Sequence, residues 1–121
     1  MAATPESKVK HMVKELFAHL ELAGCKPYVF WPVPSGYGPS SLDCLVCYYG
    51  IFIGIETKAP GGKPTPRQEF TISQINAAKG VTLTIDGRRG IEELEYLLLR
   101  IKACYDNRVL FIYRENTWEN T

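Results

Sequence analysis

Between residues 9 and 20 the apolar positions fall at helical spacing: Val9, Met12, Val13, Leu16, Phe17 and Leu20. That stripe is one face of an amphipathic helix. Thr4 suits its N-cap, Pro5 its first position and Gly24 its close, which predicts a helix over residues 5–23. The period then changes. Residues 28–33 read as a short strand, and the Pro-, Gly- and Ser-rich stretch 34–41 as a loop. Two β-rich runs, 42–48 and 51–58, flank Tyr49-Gly50 and read as a hairpin, with Gly50 supplying the positive φ of a tight turn. After a second loop (59–64), Thr65-Pro66-Arg67-Gln68 opens a helix that ends near Gly80. Residues 81–85 read as a strand and Asp86-Gly87 as a turn. A third helix follows over 91–104, with Leu94, Leu97, Leu98 and Ile101 facing inward. Residues 108–113 read as a last strand and about 115–121 as a polar tail. The order α-β-β-β-α-β-α-β predicts an α/β fold: a three-layer sandwich with a central mixed sheet flanked by helices.

Composition narrows the class without deciding it. The 121 residues suit a single domain, 1–121, and no apolar run reaches the length of a membrane span. The N-terminal residues lack the layout of a signal peptide, so the expected location is intracellular. With no secretion signal, Cys25, Cys44, Cys47 and Cys104 are expected as reduced thiols. Cys44 and Cys47 have zinc-like spacing, but no second ligand pair follows, and on a strand positions three apart face opposite ways. The net charge of +1 excludes a broadly basic nucleic-acid binder, so any such site must come from local clustering. His11 and His19 read as ordinary helix residues.

Closing the hairpin exposes the chemistry. If Tyr49 and Gly50 form the turn, paired positions sum to 99 and Asp43 falls opposite Glu56. Opposed residues share a face, and Lys58, two residues beyond Glu56, projects from it too. Like charges across a ladder are destabilising unless something positive lies between them. A divalent cation fits, because Mg²⁺ takes carboxylate oxygens and substrate phosphates. Such a cation polarises a phosphoryl oxygen and lowers the pKa of a water, while a lysine orients that water or stabilises developing charge. The plain alternative is an ordinary solvated strand edge at Glu56-Thr57-Lys58.

Ser35-Gly-Tyr-Gly38, Leu42-Asp43, Glu56-Thr-Lys58-Ala-Pro-Gly-Gly62, Thr65-Pro-Arg-Gln68 and Ala77-Ala-Lys-Gly80 together resemble the VRR-NUC branch of the PD-(D/E)xK nucleases. The resemblance covers roughly residues 4–86, and its most specific part runs from Glu56 to Gln68. It departs at Leu42, where the motif name has proline. It implies a restriction-endonuclease-like core and a Mg²⁺- or Mn²⁺-dependent endonuclease. The implied substrate is DNA, often branched or a four-way junction, cut by a homodimer in the cytoplasm of a bacterial or phage-infected cell. Carried over, Asp43, Glu56, Lys58 and Gln68 are the catalytic residues. The metal ligands are Asp43, Glu56, the Thr57 carbonyl and, near the start of the first helix, Glu6. A catalytically inactive, DNA-binding member of the same fold is the alternative.

Two of these expectations have structural rivals. Gln68 stands at capping-box spacing from Thr65, and Glu6 complements a helix dipole. Lys63 and Arg67 beside the Pro/Gly loop, and Arg88 and Arg89 in a turn, are candidate phosphate contacts. For the expected dimer, the tail with Trp118 and the apolar third helix are candidate interfaces.

Overall fold

The computed structural model describes residues 3–22, 26–33 and 41–113. Its elements are α1 (Pro5–Leu22), β1 (Tyr28–Phe30), β2 (Cys44–Tyr48), β3 (Ile51–Thr57), α2 (Pro66–Ala77), β4 (Val81–Ile85) and α3 (Arg88–Asp106). The Thr4 hydroxyl accepts from the Ser7 N–H at 3.1 Å and starts α1 as its sequence predicts. The expected helix stop at Gly24, the loop centred on 34–40 and Trp118 lie outside the described residues.

The four strands form one mixed sheet in the order β1-β2-β3-β4. The β1–β2 and β2–β3 pairs are antiparallel, and β3–β4 is parallel. The hairpin register is the expected one, from Tyr48 opposite Ile51 to Cys44 opposite Ile55. Both turn residues have positive φ, 49° at Tyr49 and 81° at Gly50, matching the twist of a two-residue hairpin. A tyrosine there costs about 1 kcal/mol or more. Its ring gains contacts in return, lying 4.7 Å from the Tyr48 ring and 4.6 Å from that of Tyr105.

Alternation along the strands divides the sheet into two faces. Cys44, Val46, Tyr48, Ile53, Ile55, Val81, Leu83 and Ile85 point to one face and pack beneath α1 and α3. There Val9, Val13, Leu16 and Phe17 of α1 and Leu94, Leu97, Leu98 and Ile101 of α3 close the core. On the opposite face, Ile75 of α2 and the buried Leu42 come together over Gly54. No residue of α2 is fully buried, so this second layer is thin. Cys44 is buried and Cys47 exposed, facing opposite ways as their strand position requires. No helix among the described residues is long and apolar enough to cross a membrane.

Two expectations need correction. Helix α3 starts at Arg88, so Arg88 and Arg89 lie in its first turn rather than in a loop. The strand expected over 108–113 does not form. Helix α3 runs on to Asp106, and Arg108 adopts a left-handed φ of 55°. The Arg108 N–H then bonds to the Tyr105 carbonyl and the Val109 N–H to that of Cys104, a Schellman closure that turns the chain away. The alternation that suggested a strand survives without a ladder partner. Phe111 and Tyr113 pack on the core, while Leu110 and Ile112 stay exposed.

Where β4 meets α3, a Cβ on Gly90 would lie 3.1 Å from the Ile85 Cα and 2.9 Å from its Cγ2. Backbone cannot yield as a side-chain tip can. Gly90→Ala is therefore expected to destabilise by about 1–3 kcal/mol through overpacking, despite alanine's better helix propensity. A melting temperature equal to or above the parent's would contradict this packing.

Candidate metal centre

The backbone ladder between β2 and β3 ends at Cys44 and Ile55, and side chains take over where the next rung belongs. The Asp43 N–H donates to Glu56 Oε1 at 3.2 Å. Asp43 Oδ2 accepts from the Thr57 N–H at 2.9 Å and from its hydroxyl at 2.7 Å. The two acids are thus laced together through neutral donors, and the strand end is held without further backbone pairing. Thr57 is buried and serves this lacing with its amide and hydroxyl, a role its sequence position did not announce.

Glu6 joins them from α1. One carboxylate oxygen from each of Glu6, Asp43 and Glu56 lies within 4.8 Å of the others. Two lysines flank the group. Lys58 Nζ lies 3.5 Å from Glu56 Oε2, and Lys10 Nζ lies 3.8 Å from Asp43 Oδ1. Lys10 escaped the sequence reading, although it stands one helical turn after Glu6 and so must share its side of α1.

Gln68 caps its own helix and also reaches the acidic cluster. Its Oε1 accepts from the Thr65 N–H at 2.9 Å, and the Thr65 hydroxyl accepts from the Gln68 N–H at 3.2 Å, which closes a capping box. Because Oε1 faces a donor, the amide nitrogen must point away. It donates to Glu56 Oε2 at 2.6 Å. The start of α2 and the glutamate are fastened by one side chain.

Burial governs the electrostatics. Glu56 is only 1% exposed, and its pKa is raised from 4.5 to about 7. Loss of solvent is the main cause and Asp43 the second, opposed by Lys58 and by the Asp43 N–H. Behind it, burial and Asp43 push the Cys44 thiol up to about 12, leaving it an inert core group.

Parallel pairing of β3 with β4 brings their C-terminal ends, Thr57 and Ile85, side by side. The Lys58 N–H donates to the Ile85 carbonyl, and the Gly61 N–H to Asp86 Oδ2 at 3.0 Å, tying the loop after β3 to the turn after β4. The helices that follow both begin at this edge. Lys63 and Arg67 at the approach to α2, and Arg88 and Arg89 at the start of α3, are all exposed there. Arg89 also pairs with Glu93 at 3.7 Å.

The donor set fits a hard divalent cation: three carboxylates from three segments, with Asp43 Oδ1 turned away from the Thr57 lacing. No protein-family model, curated protein or solved structure matches the chain.

The raised Glu56 pKa fixes a pH dependence. The native state holds this proton up to about pH 7 and the unfolded chain only to about 4.5. Stability is therefore greatest below pH 4.5 on this account and is lost as pH rises towards 7, on the order of 3 kcal/mol in total. In metal-free buffer, Glu56→Gln should flatten the fall in melting temperature between pH 5 and 8 that the parent shows. An equal slope in both proteins would refute the assignment.

Gln68→Glu keeps the capping acceptor but sets a carboxylate against Glu56 Oε2. It should destabilise the protein at pH 8, much less at pH 5, and not at all in a Glu56→Gln background. The double-mutant cycle reads this directly.

Proposed function

We propose that the protein is a Mg²⁺- or Mn²⁺-dependent endonuclease that hydrolyses phosphodiester bonds in DNA. The observation that carries this reading is the convergence of Glu6, Asp43 and Glu56, from three separate segments, with Lys58 beside them. Segments far apart in the chain pool negative charge there, beside an exposed basic edge. Glu6, Asp43 and Glu56 would hold the cation, with the Thr57 carbonyl as a further ligand. The cation supplies charge neutralisation and Lewis-acid activation at the scissile phosphate.

The chain's own groups do the rest. Thr57 and the Asp43 N–H hold the two acids in register, so little reorganisation is needed on binding. Gln68 fixes the Glu56 carboxylate from the far side. Lys58, 16% exposed, carries a fixed positive charge to the reacting phosphate and stabilises charge as it develops. Lys10 balances Asp43. Lys63, Arg67, Arg88 and Arg89 would contact phosphates further along the strand and set register, not sequence preference. The resemblance to the VRR-NUC nucleases extends the reading to branched DNA, with a restriction-endonuclease-like core and a homodimer carrying two symmetric sites.

Incubation with linear duplex, nicked, flapped and four-way-junction DNA tests the reading. Cleavage is expected with Mg²⁺ or Mn²⁺ and not with EDTA. Asp43→Asn and Glu56→Gln should each lose at least about a hundredfold in rate while remaining folded. Titration calorimetry should show the cation bound by the parent and not by these variants. Binding of DNA and cation without cleavage would mark the inactive, DNA-binding alternative, and failure to bind the cation would overturn the metal centre.

A further inference from the structure

The face of the sheet that carries Glu56 continues beyond the carboxylates as a surface of exposed aromatic side chains. Directly paired residues share a face, so the register builds it row by row. Next to the Asp43–Glu56 row comes Phe30–Leu45–Gly54, and beyond it Tyr28–Cys47–Phe52. Tyr28 is 68% exposed, Phe30 48% and Phe52 42%, and Cys47 is exposed between them. Helix α2 covers the Gly54–Thr82 side of this face through Ile75, which also reaches Gly80 beside the Phe52 ring. Neither row contains a charged side chain.

Geometry and area decide what suits it. Same-face neighbours along a strand lie about 6–7 Å apart and adjacent strands about 4.8 Å apart, so the nearest ring, Phe30, stands about 8 Å from Asp43. Three rings of about 150–250 Å² each, exposed to that extent, offer on the order of 300 Å². A stable protein partner takes about 800 Å² per side. The surface is therefore too small for a dimer interface but the right size for two or three flat, apolar-faced groups. Neither row carries a carboxylate, and Glu21, which lines the cavity beside Tyr28, is paired with Lys26 at 3.6 Å.

We propose that this face of β1–β3 is a stacking platform for unpaired bases of the strand cut at the neighbouring carboxylates. Bases stack on exposed aromatic side chains of sheets with little regard to sequence. The inference rests on the nuclease reading of the adjacent site and narrows it. The substrate has single-stranded character beside the scissile bond, as a flap or a splayed arm has, and a continuous duplex, whose bases are already stacked, cannot use the platform.

Cys47 provides a reporter in the middle of the rings. Its alkylation, mapped by mass spectrometry, is followed with an oligothymidylate of about 12 nucleotides in EDTA, where no cleavage occurs. The oligonucleotide should slow Cys47 alkylation at least about fivefold and leave Cys104 unaffected. Tyr28→Ala and Phe30→Ala should each weaken its binding about tenfold, with circular dichroism unchanged. Equal Cys47 reactivity with and without oligonucleotide overturns the proposal. So does Cys47 protection that grows with protein concentration alone, which would assign the face to a second copy of the chain. Because this assay needs no hydrolysis, the two readings fail separately. Protection without cleavage of flapped DNA in Mg²⁺ retains the platform and removes the nuclease, whereas cleavage without protection does the reverse.

Discussion

Everything at the candidate site depends on how a buried glutamate is kept from pushing its neighbours apart. Glu56 has almost no solvent and faces Asp43 across the end of a ladder, a pairing that sheets ordinarily avoid. The chain meets this with donors on every side: the Asp43 amide, the Gln68 amide, the Lys58 ammonium and, around Asp43, both donors of Thr57. No buried side-chain nitrogen or oxygen among the described residues lacks a partner. The network comes from several elements, so it also ties α2 and the β3 loop to the hairpin.

That lacing is only partial compensation. The Glu56 pKa stays well above its ordinary value even with these partners in place. Lys10 and Lys58 approach from opposite acids without spanning the pair. Neutral donors orient carboxylates but cancel no charge, so the compensation rests on Lys10, on Lys58 and on the raised pKa of Glu56. The stability of the fold bears the cost of burying Glu56.

The rest of the architecture serves this corner. The parallel β3–β4 pairing gathers two strand ends and two helix starts along one edge. The antiparallel β1–β2–β3 meander extends a flat face away from it. Gly54 lets Leu42 and Ile75 close over the middle of that face, since a Cβ there would approach their methyl groups to about 3 Å. The middle of the strip is therefore covered, while Tyr28 and Phe30 on β1 stay exposed.

Local pattern carried much of this. Helix α1, the hairpin turn, the capping box and the four inward residues of α3 are set by nearest-neighbour chemistry: spacing, caps and turn residues act within a few positions. The hairpin register follows from the same local logic, because a two-residue turn leaves one pairing, and so the opposition of Asp43 and Glu56 is legible in the sequence. Tertiary structure alone decided that residues 109–113 bury Phe111 and Tyr113 without a ladder, since alternation records burial and not hydrogen-bond partners. It also decided that Gln68 reaches Glu56 while capping its own helix, and that Lys10 and Glu6 arrive at Asp43 from α1. These are meetings of residues far apart in the chain, and their geometry is set by how helices dock on the sheet, which no local spacing encodes.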